Sequence, residues 1–105
     1  MKKLVEEIAA FTKERDWDQF HTPNNLAKSI VIEANELLEH YQFSTETDDL
    51  EKVGEEIADV MAYCLMLCHR LNLDPEMIIR DKMKKNALKY PADKVRGSSK
   101  KYNEY

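Results

Sequence analysis

Glycine and proline are scarce in this chain of 105 residues, which contains two glycines and three prolines. Together they make up about 5% of the residues, whereas average proteins contain roughly 12%. Sandwiches and barrels of short strands need many turn residues, so this composition disfavours them and favours helices. The length leaves no room for a second domain of ordinary size, and we expect residues 1–105 to form a single domain.

Long apolar runs are also missing. The longest one covers residues 60–68, far short of the ~20 residues that cross a bilayer as a helix. Because acidic residues follow the N-terminus before any apolar run develops, that segment does not resemble a secretory signal. We therefore expect a cytoplasmic protein that does not bind a membrane. Cys64 and Cys68 lie one helical turn apart, and we interpret them as reduced, buried thiols.

Four amphipathic segments follow one another along the chain. The helical spacing of apolar residues predicts helices at about residues 2–15, 25–41, 48–71 and 75–90. Residues 91–105 show no such spacing and are predicted to form an extended tail. The expected fold is therefore an all-α, four-helix bundle-like protomer.

Helix starts can be placed by their capping residues. Thr22 stands before Pro23 and offers an N-cap for the second helix. Asp48 with Glu51 resembles a capping box at the start of the third helix. Pro75 is typical of the first position of a helix, here the fourth.

Two pairs of acids three residues apart flank the apolar stripes of their helices. At about 100° per residue, Glu33 and Glu36 lie at about 300° and 240° from the start of the stripe in the second helix. Glu56 and Asp59 lie at the same two angles in the third helix. Glu39 points directly away from its stripe, as an ordinary solvated acid does.

The two acidic pairs can converge if the stripes of these helices pack together. A short loop makes the two helices antiparallel neighbours. Close carboxylates repel by about 3 to 4 kcal/mol per pair at an effective dielectric constant near 20. A cation must therefore lie among them, or some of them must hold protons. Oxygen ligands of this kind suit Mg²⁺; the alternative is that these acids are solvated groups at the edges of helices.

Other chemistries lack their motifs. A di-iron bundle needs Glu-x-x-His on two helices, and none of the three histidines follows a glutamate at that spacing. Two glycines cannot build a glycine-rich phosphate loop or a dinucleotide motif. Zinc spacings and the serine-hydrolase elbow are absent from the sequence as well. Any bound phosphates would have to be held by a metal ion and side chains.

The acidic pairs and the residues around them resemble a known family. Glu33-x-x-Glu36 followed by Glu56-x-x-Asp59, with Tyr63 one turn later, resembles the MazG-like all-α nucleotide pyrophosphohydrolases. Four further segments resemble the dCTP pyrophosphatase branch of that family: residues 15–21, 82–86, 90–91 and 98–102. The likeness covers essentially the whole chain.

This resemblance implies an activity and a cofactor. The activity is hydrolysis of a nucleoside triphosphate, either dCTP or a modified deoxynucleotide, to the monophosphate and pyrophosphate. The cofactor is Mg²⁺, or Mn²⁺ in its place, held by Glu33, Glu36, Glu56 and Asp59. The resemblance also implies a homodimer or a dimer-of-dimers tetramer whose pockets draw on more than one subunit.

The family likeness further assigns residues around the nucleotide. Trp17, Phe43 and Tyr63 would lie around the base or sugar, and Asn86 and Tyr90 would help to fix the nucleotide. This chain departs from its relatives at two positions, where they often have Trp in place of Phe43 and His in place of Ile8.

The residues themselves support further hypotheses about the chemistry. Glu33 or Glu36 would activate water for attack on the α-phosphorus. Lys85 either stabilises the leaving pyrophosphate or lies on a solvated helix face. Tyr63 is at about 280° on its helix and so shares the acidic flank. Trp17 lies among charged residues in a loop, where an aromatic ring is suited to stacking on a base.

Two other functional classes remain open at this stage. The run of residues 60–68 is apolar on every side of its helix, which predicts burial in a homo-oligomer. A non-catalytic helical oligomerisation or interaction module is therefore the alternative to an enzyme. Nucleic acid is an unfavoured partner, because the net charge is −4 and backbone binding needs a clustered positive face.

Overall fold

The computed structural model describes residues 1–43 and 49–97. The helices are α1 (Lys2–Glu14), α2 (Pro23–Glu39), α3 (Leu50–Arg70), α4 (Pro75–Lys89) and α5 (Ala92–Val95). These two ranges contain no strand, so the predicted all-α class is confirmed. The first four helices begin and end within two residues of their predicted bounds. No described helix is both long enough and apolar enough to cross a bilayer.

The predicted tail differs from the structure at its start. Residues 92–95 form the short helix α5, where the absence of an apolar period predicted extended chain. Apolar periodicity cannot detect a helix of a single turn, because such a helix has no repeat to show. The remainder of the tail, residues 98–105, lies outside the described residues.

Side-chain caps begin α2 and α3. The Thr22 hydroxyl oxygen accepts a hydrogen bond from the backbone N–H of Asn25 at 3.2 Å, as predicted for this start. The Asp49 carboxylate accepts from the backbone N–H of Lys52 at 3.0 Å and caps α3. The predicted capping residue, Asp48, lies outside the described residues.

Left-handed residues end α1 and α3 in place of glycine. Asp16 has φ 55°; its N–H donates to the Lys13 carbonyl at 3.1 Å, and the Trp17 N–H donates to the Thr12 carbonyl at 3.0 Å. These two bonds form a Schellman motif. Asn72, with φ 56°, ends α3 in the same way. Asp and Asn tolerate this conformation better than most residues do, which lets a chain with two glycines stop its helices sharply.

The chain divides into two compact units, Met1–Asp74 and Pro75–Tyr105. In the first unit α2 packs along α3, and α1 packs against α3 as well. This arrangement brings the acidic flanks of α2 and α3 to neighbouring surfaces. The second unit contains α4 and α5.

The buried core is small. Leu26, Val53 and Leu65 are the buried apolar side chains among the described residues. Within residues 60–68, Met61 is 52% exposed. Cys64 is exposed as well, so the prediction that it is buried is wrong for the single chain, because α1 and α2 do not cover that side of α3.

Candidate functional site

Three carboxylates converge where α2 faces α3. Glu33 lies on α2, and Glu56 and Asp59 lie one turn apart on α3. Each offers a carboxylate oxygen that lies within 4.8 Å of those of the other two. Their convergence follows from the packing of the two stripes, because each acid lies on the flank that faces the neighbouring helix.

Glu36 lies beside this group of three. Its carboxyl is close enough to hydrogen-bond with those of Glu33 and Glu56 when a proton is shared. It does not belong to the set of oxygens within 4.8 Å of one another. The four acids from the sequence motif therefore form one cluster, which we call the acidic cluster, with Glu36 at its side.

The acidic cluster lacks compensating positive charge among residues 1–43 and 49–74. One oxygen of Glu33 (Oε2) and one of Glu56 (Oε2) are buried, with no hydrogen-bond partner in the described part of the chain. Burial of the Glu33 carboxyl, a proton shared with Glu36 and the nearby negative charges raise the pKa of Glu33 from 4.5 to about 7. Burial is also the main reason that the pKa of Glu56 is raised.

These features fit a divalent cation. Buried carboxylate oxygens without donors are costly unless a proton or a metal ion satisfies them. The donor set consists of oxygen alone, which suits a hard cation such as Mg²⁺, Mn²⁺ or Ca²⁺. Glu33, Glu56 and Asp59 are the residues that could hold such an ion.

A cavity of about 420 Å³ shares Asp59 with the acidic cluster. Its other lining residues come from α1, from α3 and from the turn after α1: Leu4, Glu7, Ile8, Phe11, Trp17, Ala62, Tyr63 and Met66. We call it the aromatic cavity. Burial and the negative charges of Glu33 and Asp59 raise the pKa of Tyr63, which places this phenol beside the acids.

Phe11 and Trp17 line one side of the aromatic cavity, and Arg15 packs against both rings. The rings of Phe11 and Trp17 meet edge to face, with 5.9 Å between their centroids. The Arg15 guanidinium lies 3.5 Å from the centroid of the Phe11 ring and 5.9 Å from that of Trp17. Such cation–π contacts restrain aromatic rings at an exposed surface. The two rings are about half exposed and so offer apolar ring surface on which another planar group can pack.

Sequence reasoning missed three members of this region. The spacing of Leu4, Ile8 and Phe11 predicts an apolar stripe on α1 and no ligand contact for Phe11. Arg15 is marked in the sequence only as part of the family-like segment 15–21, and Glu7 belongs to no motif. Glu7 lies at about 300° from Leu4, on the flank of the stripe, as Glu33 and Glu56 do on theirs. That angular position is the feature of the sequence that could have identified Glu7 as a candidate site residue.

The remaining predicted residues lie outside α1, the turn after it and α3. Phe43 follows α2 and is 94% exposed. Lys85 and Asn86 lie on α4, and Tyr90 directly follows it, all in the second unit. The Tyr90 N–H donates to the Asn86 carbonyl at 2.8 Å. Glu39 is exposed and stays outside the acidic cluster.

Comparison with known proteins identifies relatives along most of the chain. A model of the MazG-like family matches residues 28–105. The chain is 37% identical to dCTP pyrophosphatase 1 of Homo sapiens and 35% identical to that of Mus musculus, in each case over 91% of this chain and 62% of the relative. It thus spans about three fifths of the length of these relatives.

A solved structure is similar over nearly its whole length. A pyrophosphatase from Archaeoglobus fulgidus superimposes with a TM-score of 0.77 and 41% sequence identity, over 87% of this chain and 92% of that one. The likeness holds for both sequence and fold, and the family match includes all four acids of the motif. The chain therefore belongs to the MazG-like family, and the predicted resemblance to its dCTP pyrophosphatase branch is confirmed.

Proposed function

We propose that this protein hydrolyses a deoxynucleoside triphosphate, either dCTP or a modified dNTP, to the monophosphate and pyrophosphate with the help of Mg²⁺. The observation that carries the proposal is the acidic cluster, with its buried, unpartnered carboxylate oxygens, beside a cavity with aromatic walls. A triphosphate has a planar base for such a cavity and oxygens that share a cation with the acids. The names of the relatives support the same reaction and suggest cytosine as the base.

The four acids would have two roles, to hold the metal ion and to accept a proton. Glu33, Glu56 and Asp59, with Glu36 beside them, would hold the ion, which when bound neutralises charge on the phosphate oxygens and lowers the pKa of a bound water. Glu33 or Glu36 accepts the proton of the attacking water, whose oxygen forms a bond to the α-phosphorus. The bond from that phosphorus to the bridging oxygen breaks, and pyrophosphate leaves with the electron pair. In the metal-free protein the pKa of Glu33 is raised to about 7; a bound cation would lower it again and leave the carboxylate ionised, so that it can accept a proton at neutral pH.

The other side chains would position the nucleotide. Trp17 and Tyr63 line the aromatic cavity and would contact the base or sugar. Phe43, Asn86 and Tyr90 are further proposed contacts on the basis of the family likeness, and Lys85 would stabilise the leaving pyrophosphate.

The test is to incubate the protein with Mg²⁺ and a panel of standard and modified nucleoside triphosphates, and to separate the products. We expect monophosphate and pyrophosphate in equal amounts, no reaction with EDTA, and recovery when Mg²⁺ or Mn²⁺ is added. Release of orthophosphate would contradict cleavage at the α-phosphorus. Absence of hydrolysis across the panel would favour the interaction module instead.

We also propose that the protein forms a homodimer or a dimer-of-dimers tetramer. On α3, Ile57 and Met61 are 42% and 52% exposed, and with Cys64 they form a continuous apolar strip at i, i+4 and i+7. Three buried apolar side chains make a small core for the described chain. Burial of this strip against a second copy would enlarge it.

Light scattering after gel filtration tests this proposal. The wild type is expected at two or four times the chain mass of 12.3 kDa. Met61→Glu should lower that mass, because it places a charge in the apolar strip. Glu55→Lys, an exposed change on the other side of α3, should leave it unaltered. A wild type that elutes as a monomer would refute the assembly.

A further inference from the structure

We propose that Glu7 recognises the base of the bound nucleotide. Its carboxylate accepts a hydrogen bond from the exocyclic amino group of cytosine or adenine and disfavours bases that carry a carbonyl oxygen at that position. This inference rests on the proposed function, because it assigns the base to the aromatic cavity.

The position of Glu7 on α1 supports this assignment. Leu4, Glu7 and Phe11 stand at i, i+3 and i+7, so they share one face of the helix. All three line the aromatic cavity. At about 100° per residue Glu7 lies at about 300° from Leu4, on the flank of the apolar stripe, which is the angle that Glu33 and Glu56 have on their own helices. A flank position beside the cavity lets its carboxylate face a ligand there.

The hydrogen-bonding capacity of Glu7 is unused. It makes no ion pair or side-chain hydrogen bond with any residue that the structure describes. Its side chain is exposed, so it can turn toward a ligand without first breaking an internal contact.

Glu7 is the acidic residue of the cavity lining that lies outside the acidic cluster. The charged lining residues of the cavity are Glu7 and Asp59, and Asp59 belongs to the acidic cluster. The remaining walls are apolar or aromatic. Among the described side chains that line the cavity, the Trp17 N–H can only donate, and the Tyr63 hydroxyl is a neutral group beside the acids that can donate or accept. Stacking on aromatic rings tolerates every base. Glu7 is therefore the charged acceptor that these residues offer to an amino group outside the acidic cluster.

The chemistry of a carboxylate sets the sign of the preference. An ionised carboxylate accepts hydrogen bonds and cannot donate them. The amino groups of cytosine and adenine donate, whereas uracil has a carbonyl oxygen in the place of the cytosine amino group. A contact of this kind changes affinity by about tenfold or more. Glutamine can present either a donor or an acceptor, so it should lose the discrimination.

Binding of two matched monophosphates tests the proposal without any need for turnover. dCMP and dUMP differ along one edge of the base, where the amino group and bare N3 of cytosine are replaced by the carbonyl and N3–H of uracil. Trp17, the one tryptophan of the chain, lines the cavity. Its fluorescence can therefore report both titrations. We expect the wild type to bind dCMP about tenfold more tightly than dUMP. Glu7→Gln should bring the two dissociation constants to within about twofold. Glu6→Gln is the control, since Glu6 is exposed on the same helix but does not line the cavity; it should keep the wild-type ratio.

Three results would overturn the role of Glu7: equal affinities of the wild type for dCMP and dUMP, an unchanged ratio in Glu7→Gln, or no fluorescence response to either nucleotide. Hydrolysis of dCTP, measured in parallel, reports separately on the proposed function. If the wild type discriminates between the monophosphates but does not hydrolyse dCTP, the role of Glu7 in base recognition is supported and the proposed hydrolysis is refuted.

Discussion

Asp59→Asn is expected to lower kcat/KM for dCTP by at least about a hundredfold at saturating Mg²⁺. The carboxylate of Asp59 offers an oxygen within 4.8 Å of those of Glu33 and Glu56, and the amide has no charge with which to hold a cation. Loss of charge stabilisation by a metal ion is worth several kcal/mol, which corresponds to two or more orders of magnitude in rate. Initial rates of pyrophosphate release give the measurement.

Two further substitutions make this result interpretable. Glu36→Gln should also lower the rate by orders of magnitude, because Glu36 contacts two of the three converging acids. Glu39→Gln should change it by less than about twofold, since Glu39 is an exposed acid on the same helix, outside the acidic cluster. Equal losses in all three variants would refute the geometric basis of the site.

The second large effect is a dependence of stability on both pH and metal. The folded-state pKa of Glu33, about 7, lies above its ordinary value of 4.5. Between these two values the metal-free folded state binds more protons than the unfolded state does. Its free energy of unfolding therefore falls as the pH rises from about 4.5 to 7. Over the same interval Mg²⁺ should bind more tightly, because the cation competes with those protons.

Thermal unfolding at pH 5.5 and pH 8, with and without Mg²⁺, measures both trends. Free Mg²⁺ at a hundred times its dissociation constant adds about 2.7 kcal/mol, which corresponds to roughly 10 °C or more in a domain of this size. We expect that gain at pH 8 and a much smaller one at pH 5.5.

Glu33→Gln serves as the control for this linkage. The amide does not titrate, so the metal-free variant should lose much of its pH dependence, and its gain from Mg²⁺ should shrink. A gain from Mg²⁺ of the same size at both pH values in the wild type would contradict the linkage.

The convergence of the acids could be predicted from the sequence because it depends on two simple quantities. One is the rotation of about 100° per residue, which places both acidic pairs on the same flank of their stripes. The other is that α2 and α3 follow one another directly in the chain, joined by residues 40–49, and consecutive elements usually pack as neighbours. No tertiary detail is needed for either, and the same holds for the helix bounds.

The aromatic cavity could not be predicted in this way. It depends on how far α1 stands from α3, which the apolar stripe of α1 does not specify. The stripe therefore predicts that Phe11 packs in the core. The residue is instead 48% exposed, and the Arg15 guanidinium lies over its ring. The exposure of Cys64 has a related cause. A helix segment that is apolar on all sides is buried on all sides only where enough neighbouring elements surround it.

The left-handed turn at Asp16 has a consequence for recognition. It reverses the backbone directly before Trp17, whose N–H is anchored to Thr12 inside α1. The orientation of the Trp17 indole is thus set by a helix terminus as well as by its contacts with Phe11 and Arg15. A β-branched side chain at position 16, which disfavours such a φ, would therefore tilt this indole, although position 16 does not line the cavity. The proposed contact of Trp17 with the base would in this way depend on a backbone position outside the cavity.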